Sequence, residues 1–330
     1  MNQNSKRRTH KTRRTTLFSL LILVLLAAAC SDGAQQNAES AADNDTNNQP
    51  EERVLKDFIG NEVKVPAHPE RIIASYLEDH LVALGVKPVA QWSVADGKTV
   101  QDYLQYSLQD VPTIPSELPY EAVMSFRPDL ILLDGADMAS GDKYAQYSKI
   151  APTYIVGTEE VNDWRKKLLM IGEVLNKSEE ARKALEEYER KASEAREKLN
   201  EAIGSKSAAA IWLLGKDAYI VHENRSSGEV LYHDLGMKVP DVVKEISASA
   251  TANWLPLPNE KLAELDADYL FIVKSEGTTK DQIVSDPIWS AIPAVRNGHI
   301  YEFGADSSWL YSGTIANGQI IDHVLDSILK

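Results

Sequence analysis

The sequence predicts an α/β protein of two lobes joined by one long helix, and three observations carry that expectation. Short apolar runs alternate with helical stretches from residue 54 onward. A charged helical pattern at residues 178–203 divides the chain into halves of similar size, and the two halves repeat the same local strings in the same order. A chain of 330 residues is long enough for two such units.

In the first half, residues 54–58 and 62–65 read as a hairpin closed by Ile59, Gly60 and Asn61. Residues 71–75, 87–91, 130–134 and 153–156 read as strands of a mainly parallel sheet, because helical or long segments separate them. The second half repeats the recipe at 208–214, 219–221, 269–273 and 299–303.

Between them, Ala181, Leu185, Tyr188, Ala192, Ala195, Leu199 and Ala202 step by alternating four and three residues, which is one helix face. Glu179 with Lys183, Glu186 with Arg190, Glu187 with Lys191 and Glu194 with Lys198 stand at the i,i+4 spacing of helical ion pairs. At 1.5 Å per residue the helix is about 40 Å long, enough to cross two lobes. A dimeric coiled coil with an alanine-rich seam is the competing reading of the same stripe.

The duplication is specific. Glu121 precedes Asp129 by eight residues, with a short apolar helix between and the run Leu-Ile-Leu-Leu after; Glu260 precedes Asp268 by eight residues and leads into Tyr-Leu-Phe-Ile-Val. Leu84-Gly85-Val86-Lys87 is matched by Leu235-Gly236-Met237-Lys238. Two related lobes leave a cleft between them, a preferred place for a small-molecule site.

The N-terminus speaks to location. Lys6, Arg7, Arg8, Lys11, Arg13 and Arg14 precede an apolar run at 17–29, the order of an export signal. The run is short for a membrane span of about 20 residues, and it ends at Cys30, the only cysteine. Ala27 stands where the commonest lipoprotein signal has leucine. The expectation is a signal at 1–29, an acylated Cys30 and a polar tether over 30–52 that buries too little apolar surface to fold. Loss of residues 1–29 removes six positive charges and takes the formal net charge from −14 to about −20. Nucleic acid and anionic lipid surfaces are poor electrostatic partners for such a body.

Enzyme motifs are absent. No two glycines stand as Gly-x-Gly, Gln319 replaces the lysine after the P-loop spacing of Gly313 and Gly318, and there is no Gly-x-Ser-x-Gly. One cysteine excludes a multi-thiolate metal site, and the seven histidines are scattered without paired metal spacing. No catalytic residue and no metal ligand is assigned.

Several strings now converge. Arg-Ile-Ile-Ala-Ser at 71–75, Glu-Asp-His-Leu-Val-Ala-Leu-Gly-Val-Lys-Pro-Val at 78–89, Phe-Arg-Pro-Asp-Leu-Ile at 126–131 and Tyr-Ser-Lys-Ile-Ala-Pro-Thr at 147–153 resemble the ferric siderophore-binding lipoproteins of ABC importers. Val-Leu-Tyr-His-Asp-Leu-Gly at 230–236, Leu-Asp-Ala-Asp-Tyr-Leu-Phe at 265–271, Asp-Pro-Ile-Trp at 286–289 and Ala-Val-Arg-Asn-Gly at 294–298 agree in the second half. The resemblance covers residues 54–330. It implies two Rossmann-like lobes, 53–160 and 205–330, joined by the helical segment 161–204. It also implies capture of a ferric siderophore and delivery to an ABC permease dimer with its ATPase, by a monomer lipid-anchored through Cys30 to the outer face of the cytoplasmic membrane. Glu121 and Glu260 match the two glutamates that dock this family on the permease.

Siderophore oxygens already satisfy the iron, so the protein must grip a bulky, half-apolar shell with aromatic walls and a cation or two. Trp92, Trp254, Trp309 and Tyr311 are the candidate walls, each with a core-packing alternative; Arg225 is the candidate cation, with His222 beside it and Lys216 nearby. Trp212 and Trp289 read as structural. One clear arginine favours hydroxamate or carboxylate-hydroxamate ligands over highly anionic catecholates. A haem or cobalamin receptor of the same fold, an envelope α/β enzyme using Asp134 with His222, and a structural lipoprotein are the competing functions.

Overall fold

The computed structural model describes residues 52–158, 163–274 and 280–330. The expected signal, Cys30 and the tether up to residue 51 lie outside the described residues.

The protein is an α/β molecule of two lobes with a long connecting helix. The first lobe opens with a hairpin, Arg53–Lys56 against Glu62–Val65, in the register Arg53 to Val65 and Lys56 to Glu62. Asp57 closes its turn, accepting from the backbone N–H of Ile59 and Asn61 and from the Asn61 amide. Parallel strands Ile72–Ile73, Leu130–Leu133 and Thr153–Ile155 follow, with Leu130–Leu133 central. A bridge from Ile73 to Ala90 continues them into the parallel pair Gln91–Ser93 and Thr113–Pro115. Leu130–Leu133 is apolar throughout because both its faces are covered: Leu130 and Leu132 enter the core shared with the second lobe, Ile131 and Leu133 a separate core within the first.

The second lobe holds one five-stranded sheet in the order Trp254–Pro256, Asp217–Val221, Ala208–Leu214, Tyr269–Lys274, Ile300–Gly304. Its last three strands are parallel, and Asp217–Val221 runs antiparallel to both of its neighbours, Ala208–Leu214 and Trp254–Pro256. The departure from a mainly parallel sheet has a local cause, since Leu214 pairs with Asp217 across only Gly215 and Lys216, a turn that permits nothing but an antiparallel return. Two strands escaped the sequence reading, Thr113–Pro115 and Trp254–Pro256; each is three residues long and ends in proline, a mark of a loop or a sheet edge. The strand expected at 87–91 begins at Gln91 instead, after Pro88.

The connection starts with the helix Trp164–Val174, capped by Asp163, whose carboxylate accepts from the N–H of Arg165 and Lys166. Its first turn is tied to both lobes. Lys167, 4% exposed, meets Asp134 of the first lobe at 2.6 Å. Arg165, pointing the other way, meets Glu229 at 2.6 Å and Asp234 at 2.7 Å in the second lobe, and Glu189 at 2.6 Å on the long helix. That helix is Ser178–Ile203, and its stripe of Ala181, Tyr188, Ala192, Ala195 and Leu199 is buried within this chain. The stripe therefore packs internally rather than as a coiled-coil seam. The anticipated pairs along it are replaced by others of similar spacing, Lys183 with Glu187 and Arg190 with Glu194, while Lys191 reaches across to Asp322 on the helix Thr314–Leu329.

The terminal helix belongs in sequence to the second lobe but is capped by the first. Its N-cap residue is Gly313, which has no side chain to offer; Asp79, from the helix Glu78–Ala83, accepts from Ile315 N–H at 3.1 Å, from Ala316 N–H at 2.9 Å and from the Tyr103 hydroxyl at 3.0 Å. Gly313 lies at φ +150°, and a Cβ there would fall 2.3 Å from the Asp79 carboxylate.

Candidate functional site

A cavity of about 260 Å³ opens between the lobes, walled by Tyr76, Asp134, Gly135, Asp137 and Thr158 on one side and by Arg225, Thr251, Ala252 and Asn253 on the other. Its two walls hold residues in the left-handed backbone region, Tyr76 at φ +68° and, beside Arg225, Ser226 at φ +51°. Neither residue type adopts that region readily, and such conformations persist where the surrounding fold imposes them to aim a side chain. Tyr76 remains 38% exposed with its ring edge-on to Trp92 at 5.2 Å and 6.2 Å from Tyr311.

On the opposite wall Arg225 leads the short helix Ser226–Glu229, which runs on as a π-turn at Val230–Asp234. Gly228 makes the tight start possible, since a Cβ there would lie 2.0 Å from the His222 carbonyl. The far end of the segment is fixed by Arg165 on Glu229 and Asp234, by the Tyr188 hydroxyl donating to Asp234, and by Arg196, which donates to the carbonyls of Asp234 and His233. Arg225 is thus presented on a braced loop rather than a free one.

The structure separates the anticipated ligand residues. Arg225 lines the cleft. Trp92 stands behind Tyr76 and donates its backbone N–H to Glu78 at 2.6 Å. Tyr311, 9% exposed, packs on Tyr103 at 5.1 Å and donates its hydroxyl to the Val100 carbonyl, joining the lobes at one end of the cleft. Trp254 is half-buried at the sheet edge next to Thr251, Ala252 and Asn253, 6.2 Å from Trp212. His222 is turned inward: Nδ1 accepts from Asn224 N–H at 2.9 Å and Nε2 faces the Ala250 carbonyl at 3.2 Å, so the ring shapes the Arg225 loop, and burial pushes its pKa down. With both nitrogens engaged it has no lone pair for a haem iron, and no contact joins it to Asp134 among the described residues.

Trp309 requires a correction. It is 0% exposed, stacked on Phe271 at 4.9 Å and beside Phe303 at 5.1 Å, in the core of the second lobe. The loop that carries it contains one helical turn, Ser308–Leu310, which rotates the indole onto the sheet. Lys216 is also elsewhere. It lines a larger cavity, 720 Å³, with Pro258 and Trp289 at the outer edge of the second lobe. That cavity is built from one lobe alone and lacks the two facing walls of the cleft.

Glu121 and Glu260 are exposed and occupy equivalent places, each the second residue of a short helix, Tyr120–Ser125 or Asn259–Ala263, entered from a proline. The shared Leu-Pro-x-Glu at 118–121 and 257–260 is a repeat the longer strings overshadowed.

Beneath Tyr76 and Trp92 lie three consecutive titratable side chains, Glu78, Asp79 and His80, all buried. Burial pushes Glu78 up to about 8 and Asp79 up to about 6, and pushes His80 down to about 3 with help from Lys167. A polar run at the start of a short helix reads as solvated, so this layer was not legible. It has a consequence for stability. The native state holds the Glu78 proton up to about pH 8, whereas an unfolded glutamate loses it near pH 4.3. Between those values the native state binds more protons, so stability falls as pH rises. Asp79 contributes with the same sign only up to about 6, Glu229 up to about 7, and His80 with the opposite sign between about 3 and its unfolded value near 6.5. From pH 7 to 8 Glu78 remains, and denaturation midpoints should fall across that interval by the equivalent of about 1 kcal/mol. Glu78→Gln should flatten the slope; a slope that persists in the variant refutes the assignment.

Among the described residues no helix is long and apolar enough to cross a membrane, and no cluster of His, Cys, Asp and Glu is arranged to hold a metal ion.

Residues 73–307 match the family model described as periplasmic binding protein. The iron(3+)-hydroxamate-binding protein YxeB of Bacillus subtilis is 25% identical over 289 residues, covering 85% of this chain and 86% of its own. The FhuD protein from S. pseudintermedius superposes with a TM-score of 0.70 at 20% identity, over 84% of this chain and 97% of that one. Staphylococcus aureus SirA, solved in complex with staphyloferrin B, gives a TM-score of 0.68 at 24% identity, over 84% and 98%.

Proposed function

The chain belongs to the periplasmic binding protein family, and from that premise we propose that it is an extracytoplasmic receptor that captures a ferric siderophore between its lobes and delivers it to an ABC permease. The observation that carries the reading is the cleft itself, with Tyr76 and the Arg225 loop facing each other from two lobes in constrained backbone conformations. Similarity to an iron(3+)-hydroxamate-binding protein supports the hydroxamate side of a hydroxamate or carboxylate-hydroxamate cargo. The division into lobes at 53–160 and 205–330, with 161–204 between, follows from the same reading. So does anchoring through a lipid on Cys30. No catalytic step is part of the proposal.

The binding chemistry follows from the walls. Tyr76 offers an aromatic face backed by Trp92, and Arg225 offers donors to ligand oxygens. At about 260 Å³ the cavity is below the roughly 300–1,000 Å³ usual for small-molecule pockets, so a bulky iron complex enters a more open arrangement and the lobes settle on it. Delivery would use Glu121 and Glu260, two exposed carboxylates on equivalent helices, to orient the body on basic groups of a two-fold permease.

Intrinsic tryptophan fluorescence tests capture directly. Saturable quenching by a ferric hydroxamate is expected, and Arg225→Ala should weaken it about tenfold or more through loss of a charge-assisted contact. Absence of response to hydroxamate, citrate-hydroxamate and catecholate iron complexes would refute the reading. Replacing Glu121 and Glu260 together by alanine should slow ligand-dependent ATP hydrolysis by the cognate permease while quenching persists; undiminished hydrolysis would remove them from docking.

A further inference from the structure

The duplication of the lobes supplies a comparison within one chain. Counted from Glu121 and Glu260, and equally from Asp129 and Asp268, residues 120, 124 and 127 of the first lobe correspond to 259, 263 and 266 of the second. The first set is Tyr120, Met124 and Arg127; the second is Asn259, Ala263 and Asp266. Both lobes form the short helix and the buried strand that follows it, so the fold does not require an aromatic ring, a thioether and a guanidinium at these places. Met124 is nonetheless 50% exposed. Arg127 is exposed at φ +45°, a left-handed position after a helix that ordinarily falls to glycine.

These side chains meet in a groove. A cavity of about 540 Å³ lies beside the helix Tyr120–Ser125, with Tyr120, Met124, Pro128 and Ile150 as its apolar walls and Arg127 and Lys149 as its charges. Tyr120 is held edge-on against Tyr147 at 5.1 Å. The loop that carries Arg127 is fixed: Arg71 donates to the carbonyls of Phe126 and Arg127, and Asp129 accepts from the N–H groups of Glu70 and Arg71. Arg127 and Lys149 are both exposed, and neither has an acidic partner among the described residues; Lys149 reaches only the amide oxygen of Gln146, at 3.4 Å. Two such cations beside exposed apolar surface contrast with a chain of formal net charge −14, and that combination marks an interaction surface.

Building on the docking reading of Glu121, we propose that this groove is a second element of the permease contact: it takes an apolar side chain that stands beside a carboxylate, on an extracytoplasmic segment of the subunit that receives Glu121. Glu121 and the groove share one helix, so one partner surface reaches both. The apolar side chain displaces water from Tyr120, Met124 and Ile150, and the carboxylate meets Arg127 and Lys149. The first lobe then both offers and accepts a carboxylate, whereas the second, with Asp266 in place of Arg127, offers acidic groups alone at the equivalent place. The lobes are alike in fold and unlike in the partner chemistry they read.

Met124→Ala combined with Arg127→Asp gives the first lobe the residues that the second carries, and aspartate tolerates the left-handed backbone at position 127. The full chain, loaded with a ferric hydroxamate, is titrated against the cognate permease and its ATPase in lipid nanodiscs, and the half-saturating receptor concentration for ATP hydrolysis is read. It should rise about tenfold in the double variant, the order expected when a favourable charge contact becomes a repulsive one, while tryptophan quenching by the same ferric hydroxamate is unchanged. Added salt should weaken the wild type more than the variant. A half-saturating concentration within about twofold of wild type, the span of an ordinary surface change, overturns the groove's role if Glu121→Ala with Glu260→Ala still slows hydrolysis. If that pair has no effect, the docking reading fails and the inference fails with it. A dimer of the receptor in sedimentation that the double variant dissolves assigns the groove to a second copy and overturns the permease as its occupant.

Discussion

Gly313→Ala should be among the most damaging single-methyl additions in this protein. The new Cβ would lie 2.3 Å from Oδ1 and 2.4 Å from Cγ of Asp79, and the backbone at φ +150° is one that residues with a side chain rarely adopt. Asp79 has nowhere to retreat, because it is 1% exposed and already engaged with Ile315, Ala316 and Tyr103. Displacing it strands two N–H groups at the start of a 16-residue helix and a buried hydroxyl. Leaving a buried hydrogen-bonding group without its partner costs about 1–3 kcal/mol, and chemical denaturation should register a loss of at least that order. Asp79→Ala should cost about as much by removing the acceptor itself. The double variant separates the causes: once Asp79→Ala has removed the carboxylate, the new methyl at position 313 has nothing to strike, so the two losses should combine to far less than their sum. Additive losses, or a Gly313→Ala protein within about 1 kcal/mol of wild type, the spread of an ordinary surface change, would show that the cap does not join the lobes as argued.

Local signals were legible in the sequence and distant ones were not. Leu130–Leu133 stood out because four consecutive apolar residues require cover on both faces, and both cores are present. The long helix was legible because its apolar stripe and its charges are periodic, although which charges pair depended on Asp322 from a helix more than a hundred residues away. Glu121 and Glu260 were findable because duplication wrote the same spacing twice. Their equivalent placement is a fact of the fold, whereas docking itself awaits its test. The cleft was less legible. Tyr76 carries no mark in sequence of the left-handed backbone that aims it, and Glu78, Asp79 and His80 look like the wet end of a helix until the terminal helix and Lys167 close over them. Arg225, which lines the cleft, stood out because a basic residue entering a helix from a loop is a local feature. His222, three residues earlier in the same loop, was expected beside the ligand, and its ring is engaged with the Asn224 N–H and the Ala250 carbonyl, bracing the loop from beneath.

Trp309 shows the same limit most sharply, and its replacement should separate stability from binding. A tryptophan between Ser308 and Tyr311 in a polar loop suggests a surface wall, yet the ring is fully buried on Phe271 with Phe303 and His323 around it. Trp309→Ala should lower stability by about 3–5 kcal/mol, the usual range for deleting a large buried aromatic side chain. Trp309→Phe, which keeps an aromatic face on Phe271, should lose appreciably less and unfold cooperatively. Since the ring has no surface in the cleft, the folded Trp309→Phe protein should bind ferric hydroxamate with wild-type affinity. Tyr76→Ala should do the reverse, weakening capture while sparing stability, because that ring is 38% exposed and its loss opens no core cavity. A Trp309→Phe protein that unfolds like wild type but binds about tenfold more weakly, a loss of roughly 1.4 kcal/mol, would place the indole on the ligand after all, which would require the loop at residues 306–311 to turn it outward when the lobes part. Retained affinity with lowered stability would instead fix Trp309 as the support beneath the parallel strands Tyr269–Lys274 and Ile300–Gly304. Recognition would then rest on Tyr76, Trp92 and the Arg225 loop.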